Sequence, residues 1–149
     1  MKSKKKAVVF DLDSTLCDCS ERHHHVLKQP QDFDTFHSLC GTDKVNMPVR
    51  FILDSFAQKQ YSIVILTGRP ERYLGETVDW LVDHRIEYDQ LVMKRATDER
   101  GDVAYKRQML SRLITSYDIV AVFEDRKKIV DMIRDEFKLT VFDVAGNLY

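Results

Sequence analysis

The chain has 149 residues, of which 44% are hydrophobic and 32% are charged, with a formal net charge of −1. This composition is typical of an ordinary globular protein and excludes an intrinsically disordered chain. The near-zero charge argues against a protein that coats nucleic acid non-specifically, because that function needs a large basic excess. No apolar run approaches the length of a membrane span, so no membrane association is expected.

The predicted elements alternate between apolar strands and amphipathic helices along the chain. We predict strands at residues 7–11, 62–66, 90–93, 119–123 and 139–142. We predict helices at residues 46–60, 70–84, 103–116 and 126–137. This alternation indicates a central parallel sheet with helices on both faces, in one domain of residues 1–149.

Residues 17–45, called the flap below, are the least regular segment of the chain. We expect one short helix there, at residues 33–39. The segment is too short to fold as a cap domain of its own, so the predicted site is open. Three cysteines, an odd number, give no convincing disulfide framework and favour a reducing cytoplasm. Zinc binding by these cysteines and His23–His25 is disfavoured, since the spacing of Cys17 and Cys19 is short for a structural site.

Two carboxylates, Asp11 and Asp13, follow the first predicted strand. Buried charges are unfavourable unless they are paired or bind a metal, and Mg²⁺ takes oxygen ligands from carboxylates and substrate phosphates. Asp11 could also attack phosphorus as a nucleophile, while Asp13 could donate a proton to the leaving group and later accept one from water. On this motif alone, a simple turn after a strand is an equally good interpretation.

Two further polar clusters follow predicted strands. Thr67-Gly68-Arg69 comes after the second strand, and Glu124-Asp125-Arg126 comes after the fourth. The carboxyl ends of parallel strands lie at one edge of the sheet, where such folds bind their ligands. Three polar clusters at strand ends would rarely arise by chance, which favours a functional site over simple turns.

Together with a lysine at position 106, these motifs resemble the four-motif signature of phosphatases of the haloacid dehalogenase superfamily. The resemblance implies a Rossmann-like three-layer α/β/α fold, here without a cap. It implies that Asp11 is the nucleophile and Asp13 the general acid/base. It also implies that Thr67 and Lys106 bind the phosphoryl oxygens and that Asp125 helps to hold Mg²⁺.

Within this superfamily the whole chain is similar to the phosphatase domain of phage-type polynucleotide kinase/3′-phosphatases. Beyond the motifs above, the similarity includes Arg22 and the run Arg100-Gly101-Asp102 shortly before the lysine. It implies that Arg22, Arg69 and Asp102 support phosphate binding and the active-site lysine. Gly68 belongs to the same predicted phosphate-binding motif as Arg69.

The predicted metal ligands are Asp11, Asp13, Glu124 and Asp125, with Mg²⁺ as the cofactor. Glu124 stands where the close relatives carry Asp, so its contact with the metal, direct or through water, is left open. Lys94, after the third strand, is the alternative to Lys106 as the phosphate-neutralising lysine. Lys106 is favoured because it opens a helix after an acidic turn and because of the family resemblance.

These inferences predict a Mg²⁺-dependent phosphomonoesterase that acts through an aspartyl phosphate, with polynucleotide 3′-phosphates as the favoured substrate. An open site admits large substrates of this kind. The alternatives are a phosphatase of small molecules such as nucleoside monophosphates and, less favoured, a binding module without turnover. No P-loop motif is present, so any kinase activity would belong to another chain, and a separate polynucleotide kinase or ligase is a candidate partner.

Overall fold

The computed structural model of the chain describes residues 2–145. Seven strands are present in these residues: β1 (Lys5–Phe10), β2 (Cys17–Asp18), β3 (Lys44–Val45), β4 (Ser62–Pro70), β5 (Gln90–Lys94), β6 (Tyr117–Glu124) and β7 (Val141–Asp143). The α-helices are α1 (His24–Leu27), α2 (Phe33–Ser38), α3 (Met47–Gln58), α4 (Leu74–Asp83), α5 (Asp102–Ser116) and α6 (Lys127–Met132). None of the helices within residues 2–145 has the length and apolar character needed to cross a membrane.

The central sheet has five parallel strands in the order β5-β4-β1-β6-β7. The last four residues of β1 are buried, as expected for a strand that is covered on both faces. Val8 and Phe10 pack with residues of α3 and α4 on one face, whereas Ala7 and Val9 pack with α5 and α6 on the other. The predicted three-layer α/β/α fold is therefore confirmed.

The helix boundaries differ from the predicted ones in two places. The helix predicted at residues 70–84 begins only at Leu74, because β4 continues to Pro70 and a tight turn over Glu71–Tyr73 follows it. The helix predicted at residues 126–137 changes after Met132 into a wider helical turn over Ile133–Phe137. Because β4 runs to Pro70, Thr67-Gly68-Arg69 forms the carboxyl end of this strand and does not follow it as predicted.

The flap is more ordered than its sequence indicates. Its two ends meet in the antiparallel pair of β2 and β3, in which Cys17 lies opposite Val45. The predicted flap helix is present as α2, and a further short helix, α1, precedes it. Sequence periodicity could not reveal β2, β3 or α1, because elements of two to four residues are too short to show a repeat.

The chain order of the sheet places a switch point beside β1. After β1 the chain forms β4 on one side of it and later forms β6 on the other side. In parallel sheets of this kind, the crevice at the carboxyl ends of the strands beside a switch point binds ligands. The residues at the carboxyl ends of β1, β4 and β6, and those directly after β1 and β6, are therefore brought to one place.

Candidate active site

Three buried carboxylates meet at the carboxyl ends of β1 and β6. Asp11 follows β1, while Glu124 and Asp125 lie at the end of β6, and each offers an oxygen within 4.8 Å of the others. Lys106 of α5 lies among them, with its Nζ 2.7 Å from Asp11 Oδ1 and 2.6 Å from Glu124 Oε2. Thr15 Oγ1 donates to Asp11 and to Asp125 at 3.3 Å each. The structure thus brings together a compact acidic group with one buried ammonium.

The three carboxylates carry more negative charge than Lys106 can neutralise. Together with burial, this raises the pKa values of Asp11 and Asp125. Burial and the neighbouring Glu124 carboxylate raise the pKa of Asp11 to about 7, although Lys106 opposes the shift. Burial, Asp11 and Glu124 raise the pKa of Asp125 to about 10. Burial also disfavours ionised Glu124, but the Lys106 ammonium outweighs it and lowers the pKa of Glu124. Three clustered oxygen donors that need more positive charge than one lysine supplies fit a hard divalent cation such as Mg²⁺.

Asp13 lies in a different electrostatic environment. Its Oδ1 accepts hydrogen bonds from Arg69 Nη2 at 2.7 Å and from Arg22 Nη2. Burial raises the pKa of Asp13, but Arg69 and Arg22 outweigh this effect and hold the pKa below its usual range. The side chain of Asp13, predicted as a fourth metal ligand, therefore pairs with two arginines and lies outside the group of three carboxylates.

Asp43, in the flap just before β3, completes the arginine network and was not found from the sequence. Both of its carboxylate oxygens accept from Arg22, at 2.8 Å from Nε and 2.6 Å from Nη2. Its backbone carbonyl accepts from Trp80 Nε1 at 2.8 Å. The only signal in the sequence was Arg22 itself, since a buried arginine requires an anionic partner.

Arg22 and Arg69 are held by protein groups. Arg22 is 2% exposed and Arg69 is 0% exposed, and both guanidinium groups bind Asp13. Arg69 Nη1 also donates to Thr77 Oγ1 at 3.2 Å, and Arg22 Nη1 donates to the Phe36 carbonyl at 2.9 Å. Both arginines thus contact Asp13 directly, and their role in phosphate binding stays a prediction.

The remaining predicted residues lie around the same edge of the sheet. Thr67 is fully buried, and its hydroxyl oxygen accepts from Arg69 N at 3.1 Å. Asp102, at the start of α5, pairs with Arg126 and lies 3.9 Å from Lys94 Nζ. Lys94 therefore neutralises Asp102, whereas Lys106 is the lysine that contacts Asp11.

An open cavity of about 590 Å³ gives access to this site. Asp11, Asp13, Lys106 and Asp125 line it together with Gly68, Asp102 and residues of α1 and α2 in the flap. A larger groove of about 980 Å³ runs along β5 and α5, but none of the predicted catalytic or metal-binding residues lines it. The smaller cavity is therefore the one that matters for the chemistry.

A buried carboxylate beside a buried lysine, at the switch point of a Rossmann-like sheet, is the arrangement of a phosphomonoester hydrolase of the haloacid dehalogenase superfamily. Comparison with known protein families narrows this superfamily to one family. Residues 5–149 match the family described as "Polynucleotide kinase PNKP phosphatase domain". The chain belongs to this family.

Solved structures agree with this assignment. Chains in two structures of the Pnkp1/Rnl/Hen1 complex, one described as an RNA repair complex, are each 30% identical to this chain. They superimpose with TM-scores of 0.80 and 0.82, over 96% of this chain and 43% and 47% of their own lengths. The chain thus spans less than half the length of these relatives. A class C acid phosphatase from Bacillus anthracis with tungstate bound shares the fold, at 17% identity, a TM-score of 0.69, and coverage of 99% and 69%.

Gly68 provides a test of the site's packing. A Cβ at this position would lie 2.8 Å from Asp102 Oδ1, so Gly68→Ala should displace the Asp102 carboxylate from Lys94 and Arg126. We expect kcat/KM for p-nitrophenyl phosphate to fall by up to about 100-fold, the effect of misplacing an active-site group by about 1 Å. Gly75→Ala, in α4 where nothing lies within 4 Å, is the matched control and should keep full activity. Wild-type kcat/KM in Gly68→Ala would show that the position of Asp102 is unimportant.

Asp43→Asn tests the arginine network. The substitution removes a buried charge that pairs with Arg22, and breaking a buried pair from one side costs about 3–5 kcal/mol. We expect the free energy of unfolding in urea to fall by that amount, with a parallel loss of phosphatase activity. Asp54→Asn is the control, because Asp54 pairs with Arg50 at the surface and should lose at most about 1 kcal/mol. Equal losses in the two variants would contradict the assignment of Asp43.

Proposed function

We propose that the chain is a Mg²⁺-dependent phosphatase that removes 3′-phosphates from polynucleotide ends through an aspartyl phosphate on Asp11. The observation that carries the proposal is the position of Asp11. Its carboxylate lines the open cavity at the end of β1 and lies 2.7 Å from the Lys106 ammonium. A nucleophile placed in this way can meet a phosphate that enters from solvent.

The reaction has two halves, both centred on Asp11. In the first half, an Asp11 oxygen bonds to phosphorus, the bond from phosphorus to the leaving oxygen breaks, and Asp13 gives that oxygen a proton. In the second half, water attacks the phosphorus of the aspartyl phosphate and passes a proton to Asp13. Inorganic phosphate leaves, and the Asp11 carboxylate is restored.

The contacts of Asp13 suit one of its oxygens for proton transfer. Oδ1 takes the closest contacts from Arg22 and Arg69, whereas Oδ2 lies 3.2 Å from Arg69 Nε. We therefore assign the transferred proton to Oδ2. The arginines favour ionised Asp13, so the negative charge of a bound phosphate is what raises its proton affinity for the first half-reaction.

Positive charge is supplied to the phosphoryl group from two sources. Lys106 is held ionised, because Asp11 and Glu124 raise its pKa against the effect of burial. Asp11, Glu124 and Asp125 are the residues that would hold Mg²⁺, which when bound adds electrostatic stabilisation of the phosphoryl oxygens. Phosphoryl transfer spreads negative charge over three oxygens. Stabilisation of this charge by Lys106 and by bound Mg²⁺ would therefore be the main contribution of the site to catalysis.

The proposed polynucleotide substrate rests on the shape of the site and on the family. The cavity is open, and no cap domain formed by residues 2–145 covers it. Its lining includes Arg72, which pairs with Asp34, and Lys94 and Arg126, which pair with Asp102. Relatives in an RNA repair complex support a role in end processing, alongside a separate kinase or ligase. The free cysteines, Cys17, Cys19 and Cys40, suit a reducing compartment, and we propose the cytoplasm.

The substrate is tested with matched oligonucleotides that bear a 3′- or a 5′-phosphate, beside nucleoside 3′- and 5′-monophosphates. We expect Mg²⁺-dependent phosphate release to be fastest from the 3′-phosphorylated oligonucleotide. Asp11→Asn should abolish turnover, while Asp131→Asn, in a surface pair with Lys127, should retain it. Equal or faster turnover of the monophosphates would instead make the protein a nucleotidase.

The metal site is tested by stability. The pKa of Asp125 is raised from 3.8 to about 10, so the folded protein without metal binds a proton there and loses stability as pH rises through this range. In EDTA, Asp125→Asn should weaken this loss between pH 5 and 8, because the amide has no charge to bury. Mg²⁺ should stabilise the wild type, by about 2.7 kcal/mol at 100 times its Kd, but not this variant. An equal Mg²⁺ effect on both would exclude Asp125 as a ligand.

A further inference from the structure

We propose that the flap carries a nucleoside subsite, in which Leu27 and Phe33 contact the base of the terminal nucleotide. This inference rests on the proposed function and extends it, since it assigns the residues that distinguish a nucleotide from a bare phosphate ester. The two side chains lie at the end of α1 and the start of α2, and both line the cavity that contains Asp11.

The first argument is exposure. Leu27 is 69% exposed and Phe33 is 50% exposed, although both are large and apolar. Val26 and Phe36 line the same cavity. Single exposed apolar residues are ordinary, but two that lie beside half-buried Val26 and buried Phe36 in one active-site cavity form a surface that a ligand can cover.

The second argument is that ring contacts hold Phe33 in place. These contacts run from Phe33 through His37 and Phe36 to Arg22, which binds Asp13. The Phe33 ring stacks on His37 with centroids 6.3 Å apart, and His37 contacts the edge of Phe36 at 5.2 Å. The Arg22 guanidinium lies 4.1 Å from the centre of the Phe36 ring, and the same group binds Asp13. A continuous series of contacts therefore connects Phe33 with the acid/base.

A second set of contacts fixes α2 to the body of the domain. Asp34 pairs with Arg72 after β4, and its carbonyl accepts from Tyr73 Oη at 3.4 Å. The His37 ring also lies 5.8 Å from the Tyr73 ring. The contacts of Asp34 and of the His37 ring hold α2 in place. The Phe33 ring at its start therefore needs little reorganisation to bind a ligand.

The chemistry of the cavity selects the occupant. Its lining combines apolar flap residues with the Lys106 ammonium and with the catalytic carboxylates. A nucleotide has matching parts, a planar base for the apolar wall and phosphates for the basic and catalytic groups. Aromatic side chains stack on every base, so this wall favours a base over none without selecting among the four.

The test compares two 3′-phosphorylated oligonucleotides that differ only in their last nucleotide, which is normal in one and abasic in the other. The wild-type enzyme should have a kcat/KM about tenfold higher for the normal end, the effect expected of one stacked base. Phe33→Ala should remove this difference by raising KM for the normal end about tenfold. It should leave the abasic end unchanged.

The controls separate a binding role from a structural one. Phe51→Ala removes a phenylalanine of similar exposure, 62%, from α3, outside the cavity, and should keep the wild-type preference. Phe33→Trp should restore the preference, and Leu27→Ala should reduce it if Phe33→Ala fails to fold. Thermal melts establish folding for each variant.

Three outcomes would overturn the proposal. A wild type that treats the two ends alike has no base contact at this wall. A Phe33→Ala variant that slows both ends equally has lost packing and not a subsite. A wild type that hydrolyses small phosphomonoesters but no 3′-phosphorylated oligonucleotide would refute the proposed function itself, and with it the subsite.

Discussion

The ammonium group of Lys106 lies between two carboxylates from neighbouring strands, Asp11 after β1 and Glu124 at the end of β6. Parallel pairing of these strands places their carboxyl ends side by side, so the acidic residues that follow them cannot avoid one another. A buried lysine, a bound cation and a bound proton each reduce their repulsion. The packing of α5 against the sheet places Lys106 where it can reduce this repulsion. The position of the helix thus answers an electrostatic requirement that the strand pairing creates.

The short motif after β1 divides two like residues between two environments. Asp11 faces other carboxylates, and burial with Glu124 raises its pKa. Asp13, two residues later, faces Arg22 and Arg69, which outweigh burial and lower its pKa. Between them, Ser14 adopts a left-handed backbone conformation with φ of 61°, which belongs to the turn that follows the strand. The distinct chemical tasks proposed for the two aspartates thus follow from their surroundings.

Much of this arrangement could be predicted from the sequence, and the parts that could not share a physical cause. The strands of the sheet are apolar runs that the sequence shows directly. Once the strands are taken to be parallel, the polar clusters at their ends are predicted to form one site. Asp43 gives no such signal, because its role depends on Arg22, a residue 21 positions away in an irregular segment. The sequence likewise could not show that the two predicted phosphate-binding arginines are occupied by Asp13. Pairing between distant side chains is a property of the folded chain.

The meeting of the two ends of the flap, where Cys17 lies opposite Val45, has an evolutionary consequence. A segment whose two ends pair in a small sheet of their own, separate from the central sheet, can lengthen, shorten or be replaced without disturbing the core strands. In this protein that freedom is bounded, because Arg22 and Asp43, near the two ends of the segment, together orient Asp13. Diversification of substrate range within this lineage is thus expected to concentrate in residues 24–39, while both boundaries remain under purifying selection.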